Sequence, residues 1–174
     1  MSIYLVSIPN KSNAQFEEFV NQLPNGRIHH IYHTDDVTTE ELANLLQRHY
    51  PEANVTYDPR LAERNYGEYT TMSHGDMAKE NTEDVSNYLK LYTWTPPRGE
   101  SYQQVSERTN QFISELRALH LPEEVVMCIA GENASRAILH VQHGMSLADL
   151  FNMAIAHLQV HEVPHKLEDI GDNG

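Results

Sequence analysis

The sequence predicts a three-layer α/β domain, with helices on both faces of a mainly parallel central sheet of about five or six strands. Three observations point to this class. The runs Ile3 to Val6 and Val125 to Ile129 are short and continuously apolar, as strands buried on both faces must be. Stretches with apolar residues at helical spacing lie between the strand-like runs. Strand and helix patterns alternate along the chain, which suits crossover connections between parallel strands.

The elements follow in order. After the opening strand, Ser12 is a suitable cap for a helix whose apolar face is Phe16, Phe19, Val20 and Leu23, ended by Pro24-Asn25-Gly26. Arg27 to Tyr32 reads as a second strand. Leu42, Leu45 and Leu46 mark a second helix that stops before Tyr50-Pro51. A short strand at Asn54 to Tyr57 leads through Asp58-Pro59 into the polar run RLAERNYGEY, which we expect to be a loop. Residues 70–98 form an excursion over one end of the sheet, with a helix around Met77 to Leu91 ended by Trp94-Thr95-Pro96-Pro97. Ser101 caps a long helix carrying Val105, Phe112, Ile113, Leu116 and Leu119. Val125 to Ile129 is a buried strand whose Cys128 is a core residue. Helices at about Ala134 to Val141 and Leu147 to Ala156 and a strand at Leu158 to Val163 complete the count. At 174 residues, the span 1–174 suits one domain and is short for two.

Composition excludes several classes of function. Twelve Lys and Arg against 25 Asp and Glu give a formal charge of −13, so neither nucleic acid nor an anionic membrane surface is an expected partner. No apolar stretch is long enough to span a bilayer, and Ile3 to Val6 lacks the features of a secretory signal. A single cysteine rules out a disulfide framework, and the expected location is the cytoplasm.

Ligands of such sheets sit outside the carboxyl ends of the strands, which singles out Ser7 to Asn13, His33 to Thr38, Glu63 to Glu68 and Ala130 to Ser135. These four segments, in this order, resemble the histidine phosphatase superfamily, the phosphoglycerate mutase-like proteins, over nearly the whole chain. IYLVSIPNK is similar to that family's first strand with its Arg-His-Gly-Glu-Thr motif replaced. IYHTDDVTTEELA follows the outline of the strand that enters Ser-Ser-Asp-Leu-x-Arg-Ala. DPRLAERNYGEY resembles the family segment Asp-Pro-Arg-Leu-x-Glu-Arg-x-Tyr/Phe-Gly-Glu almost residue for residue. PPRGESYQQVSERTNQFISEL is similar to the Gly-Glu-Ser lead into a long helix. VVMCIAGENASRAIL is similar to the strand, Ser-His-Gly and helix ending in Arg-Ala-Leu.

The resemblance implies phosphoryl transfer through a nucleophilic histidine. Two arginines and a second histidine hold the phosphoryl group, and an acid protonates the leaving group. Carried over by position, the first arginine falls at Ser7, the nucleophile at Ile8, the motif glycine at Pro9, the second arginine at Thr38 and the second histidine at Ala130. Only the acid is kept, as Glu63. An alkyl group forms no phospho-enzyme, and loss of one charge-stabilising donor already costs about 10² to 10³ in rate. The leading expectation is therefore a phosphatase-like domain that has lost catalysis and binds a small ligand or a protein partner, with no cofactor implied.

Other residues are candidates to replace the missing groups. His33, at the end of the second strand, is the best substitute nucleophile or base, and with Glu63 it defines the alternative of a divergent phosphatase or phosphotransferase. His74 lacks a preceding strand. His143-Gly144 marks a helix end. His157, His161 and His165 would be about 13 Å apart per step on a strand, too far to share a metal. His29, His30 and His33 have no flanking carboxylate in a ligand pattern, so no metal site is expected. Asn10, Asn13, Glu63, Arg64, Glu132 and Asn133 are candidate cleft-lining groups, with Arg64 either free to meet an anion or paired to Glu63 or Glu68. Such a cleft suits a neutral or cationic ligand better than a phosphate ester. A third expectation is a structural subunit whose acidic surface docks on a basic partner.

Overall fold

Continuous apolar strands can only be satisfied by burial on both faces, and that is the arrangement found. The computed structural model describes residues 1–8, 15–70 and 88–164. Among them, five strands, β1 (Ser2–Ile8), β2 (His30–His33), β3 (Asn54–Tyr57), β4 (Val125–Gly131) and β5 (Val160–Glu162), form one sheet in the order β3-β2-β4-β1-β5. β1 pairs with β4, β4 with β2 and β2 with β3 in parallel, while β5 adds an antiparallel edge to β1. The helices are α1 (Phe16–Gln22), α2 (Val37–His49), α3 (Tyr88–Thr93), α4 (Tyr102–Leu119), α5 (Glu132–His143) and α6 (Leu147–Asn152).

Period-two alternation sorts the strand side chains into two cores. Ile3 and Leu5 of β1 with Val126, Cys128 and Ala130 of β4 pack on Val105, Phe112, Ile113 and Leu116 of α4 and on Ala134, Ala137 and Ile138 of α5. Val6 and Ile8 with Ile31, Met127 and Ile129 pack on Phe16, Phe19 and Val20 of α1 and on Leu42, Ala43 and Leu46 of α2. The result is three layers, as the alternation of patterns predicts.

Caps set the helix starts. Ser101 and Gln104 form a reciprocal capping box on α4, and Ser146 with Asp149 does the same for α6. Gly144, at φ 64°, ends α5 in the left-handed conformation where glycine is favoured, as expected for His143-Gly144.

The structure departs from the sequence expectations at several points. β2 begins at His30 rather than Arg27, although the His29 N–H still bonds to Val125 O and His29 O accepts from Asn54 N. α6 stops at Asn152 rather than Ala156, because the chain turns so that Leu158 N can bond to Ser7 O and start the antiparallel edge. The run after Asp58 is not featureless, since 3₁₀ turns form at Pro59–Leu61 and Gly67–Tyr69. The Ser12 cap, most of the helix expected around Met77 to Leu91, His74 and His165 lie outside the described residues.

Candidate functional site

β2 and β4 end where α2 and α5 begin, so one edge of the sheet gathers strand ends and helix N-termini. The parallel register sets Ser7 opposite Ala130 and Ile8 opposite Gly131. Ser7 and Ala130 are fully buried, and Ser7 Oγ has no hydrogen-bond partner among the described residues. Ile8 is only 4% exposed and belongs to the apolar cluster around Phe16, Ile31 and Ile129. Thr38 is the second residue of α2, and its N–H donates to Asp36 Oδ1 at 2.8 Å, so Asp36 occupies the positive end of that helix.

Glu63 does the same for α5. Gly131 offers no side-chain cap, and the Glu63 carboxylate takes that place: both its oxygens accept from Asn133 N at 3.1 Å, and Oε1 also accepts from Arg64 N at 2.6 Å. Gly131 makes the approach possible, because a Cβ there would lie 2.7 Å from Glu63 Cα. Arg108 holds the segment that delivers Glu63, donating to Ala62 O at 2.8 Å and to Arg60 O, while its other edge pairs with the Glu100 carboxylate at 2.7 Å.

Arg64 corrects an expectation. Its side chain pairs with neither Glu63 nor Glu68; Glu68 instead meets Arg98 at 3.3 Å. Arg64 is 8% exposed, its guanidinium donating to Glu100 O and Trp94 O and lying 5.0 Å from the Tyr66, 5.1 Å from the Tyr102 and 5.9 Å from the Trp94 ring centroids. It holds the aromatic wall together by cation–π attraction.

Glu132 and Asn133 are brought to the same place. Glu132 bonds Arg136 at 2.7 Å and faces His157 Nε2 at 3.4 Å. Asn133 Oδ1 accepts from the Tyr102 hydroxyl, and Asn133 Nδ2 donates to the Tyr66 hydroxyl at 3.0 Å. Burial pushes both phenols above their usual range, so they stay protonated. His33 has other partners. Its Nδ1 lies 2.7 Å from Thr34 O and its ring meets Tyr57 edge-on, and among the described residues it makes no hydrogen bond to Glu63. Asn10 and Asn13 lie outside the described residues. A groove of about 670 Å³ between α1 and α2 includes none of these residues in its lining.

Several members of this constellation escape the sequence reading. Asp36 carries a legible signal, a cap residue just before a helical run. Arg136 does too, standing four residues after Glu132 on one helix. Tyr66, Tyr102 and Arg108 carry none, because their roles arise from contacts between distant segments.

The family model of the histidine phosphatase superfamily (branch 1) matches residues 6–169. The chain belongs to this superfamily. A curated relative, the 2,3-bisphosphoglycerate-dependent phosphoglycerate mutase of Protochlamydia amoebophila, is 27% identical over 135 residues, which are 75% of this chain and 60% of the relative. The chain thus spans less than two thirds of that mutase's length. Solved structures with the same fold include the mycobacterial glucosyl-3-phosphoglycerate phosphatase, with TM-score 0.73, 16% identity and coverage of 93% of this chain and 88% of that one. The alpha-ribazole phosphatase of Shigella flexneri also has TM-score 0.73 and 16% identity, covering 93% and 89%.

Proposed function

We propose that this member of the histidine phosphatase superfamily does not transfer phosphoryl groups and works by binding, the surface at its strand ends taking an uncharged or cationic small molecule or a protein segment. The observation that carries this reading is Ile8, an alkyl side chain packed into the α1–α2 core where a phosphatase needs an exposed imidazole. A nucleophile must present a lone pair to phosphorus, and no rotamer of isoleucine has one.

The electrostatics support the same reading. A phosphate ester would seek helix N-termini and free guanidinium groups. The N-termini of α2 and α5 already hold the Asp36 and Glu63 carboxylates. Arg60, Arg108 and Arg136 are each paired with a carboxylate at 2.7 Å, and Arg64 is committed to backbone carbonyls and aromatic rings. An incoming dianion meets neutralised donors and a protein whose net charge repels it.

The deciding experiment is a steady-state assay with p-nitrophenyl phosphate and 3-phosphoglycerate across a range of pH. The expected result is turnover at the level of the buffer blank. Turnover above it that disappears in Glu63→Ala or in His33→Ala would overturn the proposal in favour of a divergent phosphatase.

A further inference from the structure

The opposite, amino ends of β2 and β4 carry a second constellation. His30 opens β2, His120 follows the last residue of α4, and Glu124 directly precedes β4. His30 and Glu124 are 94 residues apart in sequence, yet His30 Nε2 lies 3.3 Å from Glu124 Oε1, while His120 Nδ1 lies 3.0 Å from Glu124 Oε2. One ligand-type atom from each residue lies within 4.8 Å of the other two. The side chains are 22%, 6% and 19% exposed, so the cluster is half-buried and open to solvent on one side.

We propose that His30, His120 and Glu124 form a binding site for a divalent transition-metal ion of the zinc type, with solvent as the fourth ligand. Two imidazole nitrogens and one carboxylate oxygen make a donor set suited to zinc, whereas magnesium and calcium require oxygen donors. Geometry agrees with that choice. Metal–ligand bonds of about 2.0 to 2.1 Å in a tetrahedron put ligand atoms roughly 3.3 Å apart; the two nitrogens lie 3.3 and 3.0 Å from different oxygens of Glu124 and one atom of each residue lies within 4.8 Å of the others, so a small side-chain adjustment closes the set on one ion.

The supporting contacts orient the ligands. His120 Nε2 lies 2.9 Å from the Tyr32 hydroxyl. With Nδ1 on a metal, Nε2 carries the proton and donates it to the Tyr32 oxygen, the outer partner that a ligating histidine needs to fix its tautomer. Tyr32 is itself seated edge-on against Phe112 of the core. Glu124 Oε2 accepts from Leu121 N at 2.8 Å, which fixes the carboxylate beside the end of α4. The ion would tie α4, β2 and β4 together at a point where two imidazoles otherwise share one carboxylate.

Zinc(II) and cobalt(II) are titrated separately into the full chain after chelator treatment, in a non-coordinating buffer. Calorimetry gives stoichiometry and Kd, and the cobalt absorption spectrum reports coordination. The expected result is one ion per chain with the intense visible bands of tetrahedral cobalt. His30→Gln and Glu124→Gln should each weaken binding at least about tenfold, and Tyr32→Phe by about 10- to 100-fold. His157→Gln should leave binding unchanged. Metal-free melting curves select variants that remain folded; His30→Gln, at the more exposed ligand, guards against a misfolded Glu124 variant. Binding of equal strength in folded His30→Gln, octahedral cobalt bands, or several weak ions per chain would overturn the proposal.

Discussion

The Glu63 carboxylate receives the backbone N–H of Asn133 on both oxygens at 3.1 Å, so it serves as the N-terminal cap of α5. A proton donor needs a free oxygen facing a leaving group, whereas a cap needs an acceptor facing backbone donors. The two roles predict different mutant behaviour. Glu63→Ala should lower unfolding free energy by about 1 to 2 kcal/mol, the usual cost of a lost cap. Glu63→Gln, which keeps an acceptor, should cost less. Urea denaturation of the three proteins checks the order; equal stability of all three would refute the capping role.

Gly131 is the counterpart of that cap. A methyl group added there would lie 2.7 Å from Glu63 Cα and Cβ and 3.0 Å from its N, and only backbone movement relieves such a clash. Gly131→Ala should destabilise by about 1 to 3 kcal/mol, as overpacking does. Because displacement of the Glu63 segment also breaks the cap, Gly131→Ala and Glu63→Ala should be non-additive, the double variant losing less than the sum. Additive losses in a double-mutant cycle would show that the segment has not moved.

Placing a histidine at residue 8 tests the proposed inactivity from the other side. Ile8 is 4% exposed among apolar side chains, so Ile8→His removes their packing and buries a polar ring without a partner. The expected cost is about 2 to 5 kcal/mol. No phosphatase activity should appear, since Ser7, Thr38 and Ala130 supply no cation clamp. A stable Ile8→His protein that incorporates phosphate from an aryl phosphate would contradict both expectations.

Much of the fold is legible in the sequence, for a physical reason. Strands buried on both faces must be continuously apolar, as Val125 to Ile129 is, and a helix start must find a cap, as Ser101 does with Gln104. These are local constraints. The overshoot of the helix from Leu147 shows where local reading ends, because the bond from Leu158 N to Ser7 O that redirects the chain joins segments far apart. The site divides in the same way. The strand-end rule points to the segments around Ile8, Glu63 and Ala130, and the structure sets Ile8 opposite Gly131, Ser7 opposite Ala130 and Glu63 against Gly131. That Arg64 would sit among Tyr66, Trp94 and Tyr102 rather than meet a carboxylate has no signature in spacing. The meeting of His30 with Glu124 is equally invisible, since 94 residues separate them, although the four-residue spacing of His120 and Glu124 is open to view.

Cys128 lies in the core against the α4–α5 layer, and burial pushes its thiol well above the usual range. A buried thiol that resists ionisation is a poor nucleophile. In the folded protein it should react with an aromatic disulfide reagent only as fast as the chain opens, and in denaturant it should titrate at once. The native rate should therefore rise with urea in proportion to the unfolded fraction. Fast stoichiometric labelling without denaturant would show that the core strand is accessible.

The Asp58–Arg60 pair gives the protein a predictable sensitivity to acid. Burial alone would push the Asp58 carboxyl up, but the Arg60 side chain at 2.7 Å, the Arg60 N–H at 2.9 Å and the guanidinium charge together hold it below the usual carboxylate range. A lowered value in the folded state means that the unfolded chain takes up the proton first as pH falls. The stabilisation is therefore complete above the unfolded value of about 3.9 and is lost as pH drops through the folded value below it. Asp58→Asn should lower stability at neutral pH, and the gap from the parent protein should close as the pH falls below about 4. Urea unfolding at stepped pH checks this. Asp58 also caps the 3₁₀ turn at Pro59–Leu61 that leads to Glu63, and an amide retains part of that role through its oxygen. Any difference that persists at the lowest pH measures the cap, and the part that vanishes measures the ion pair.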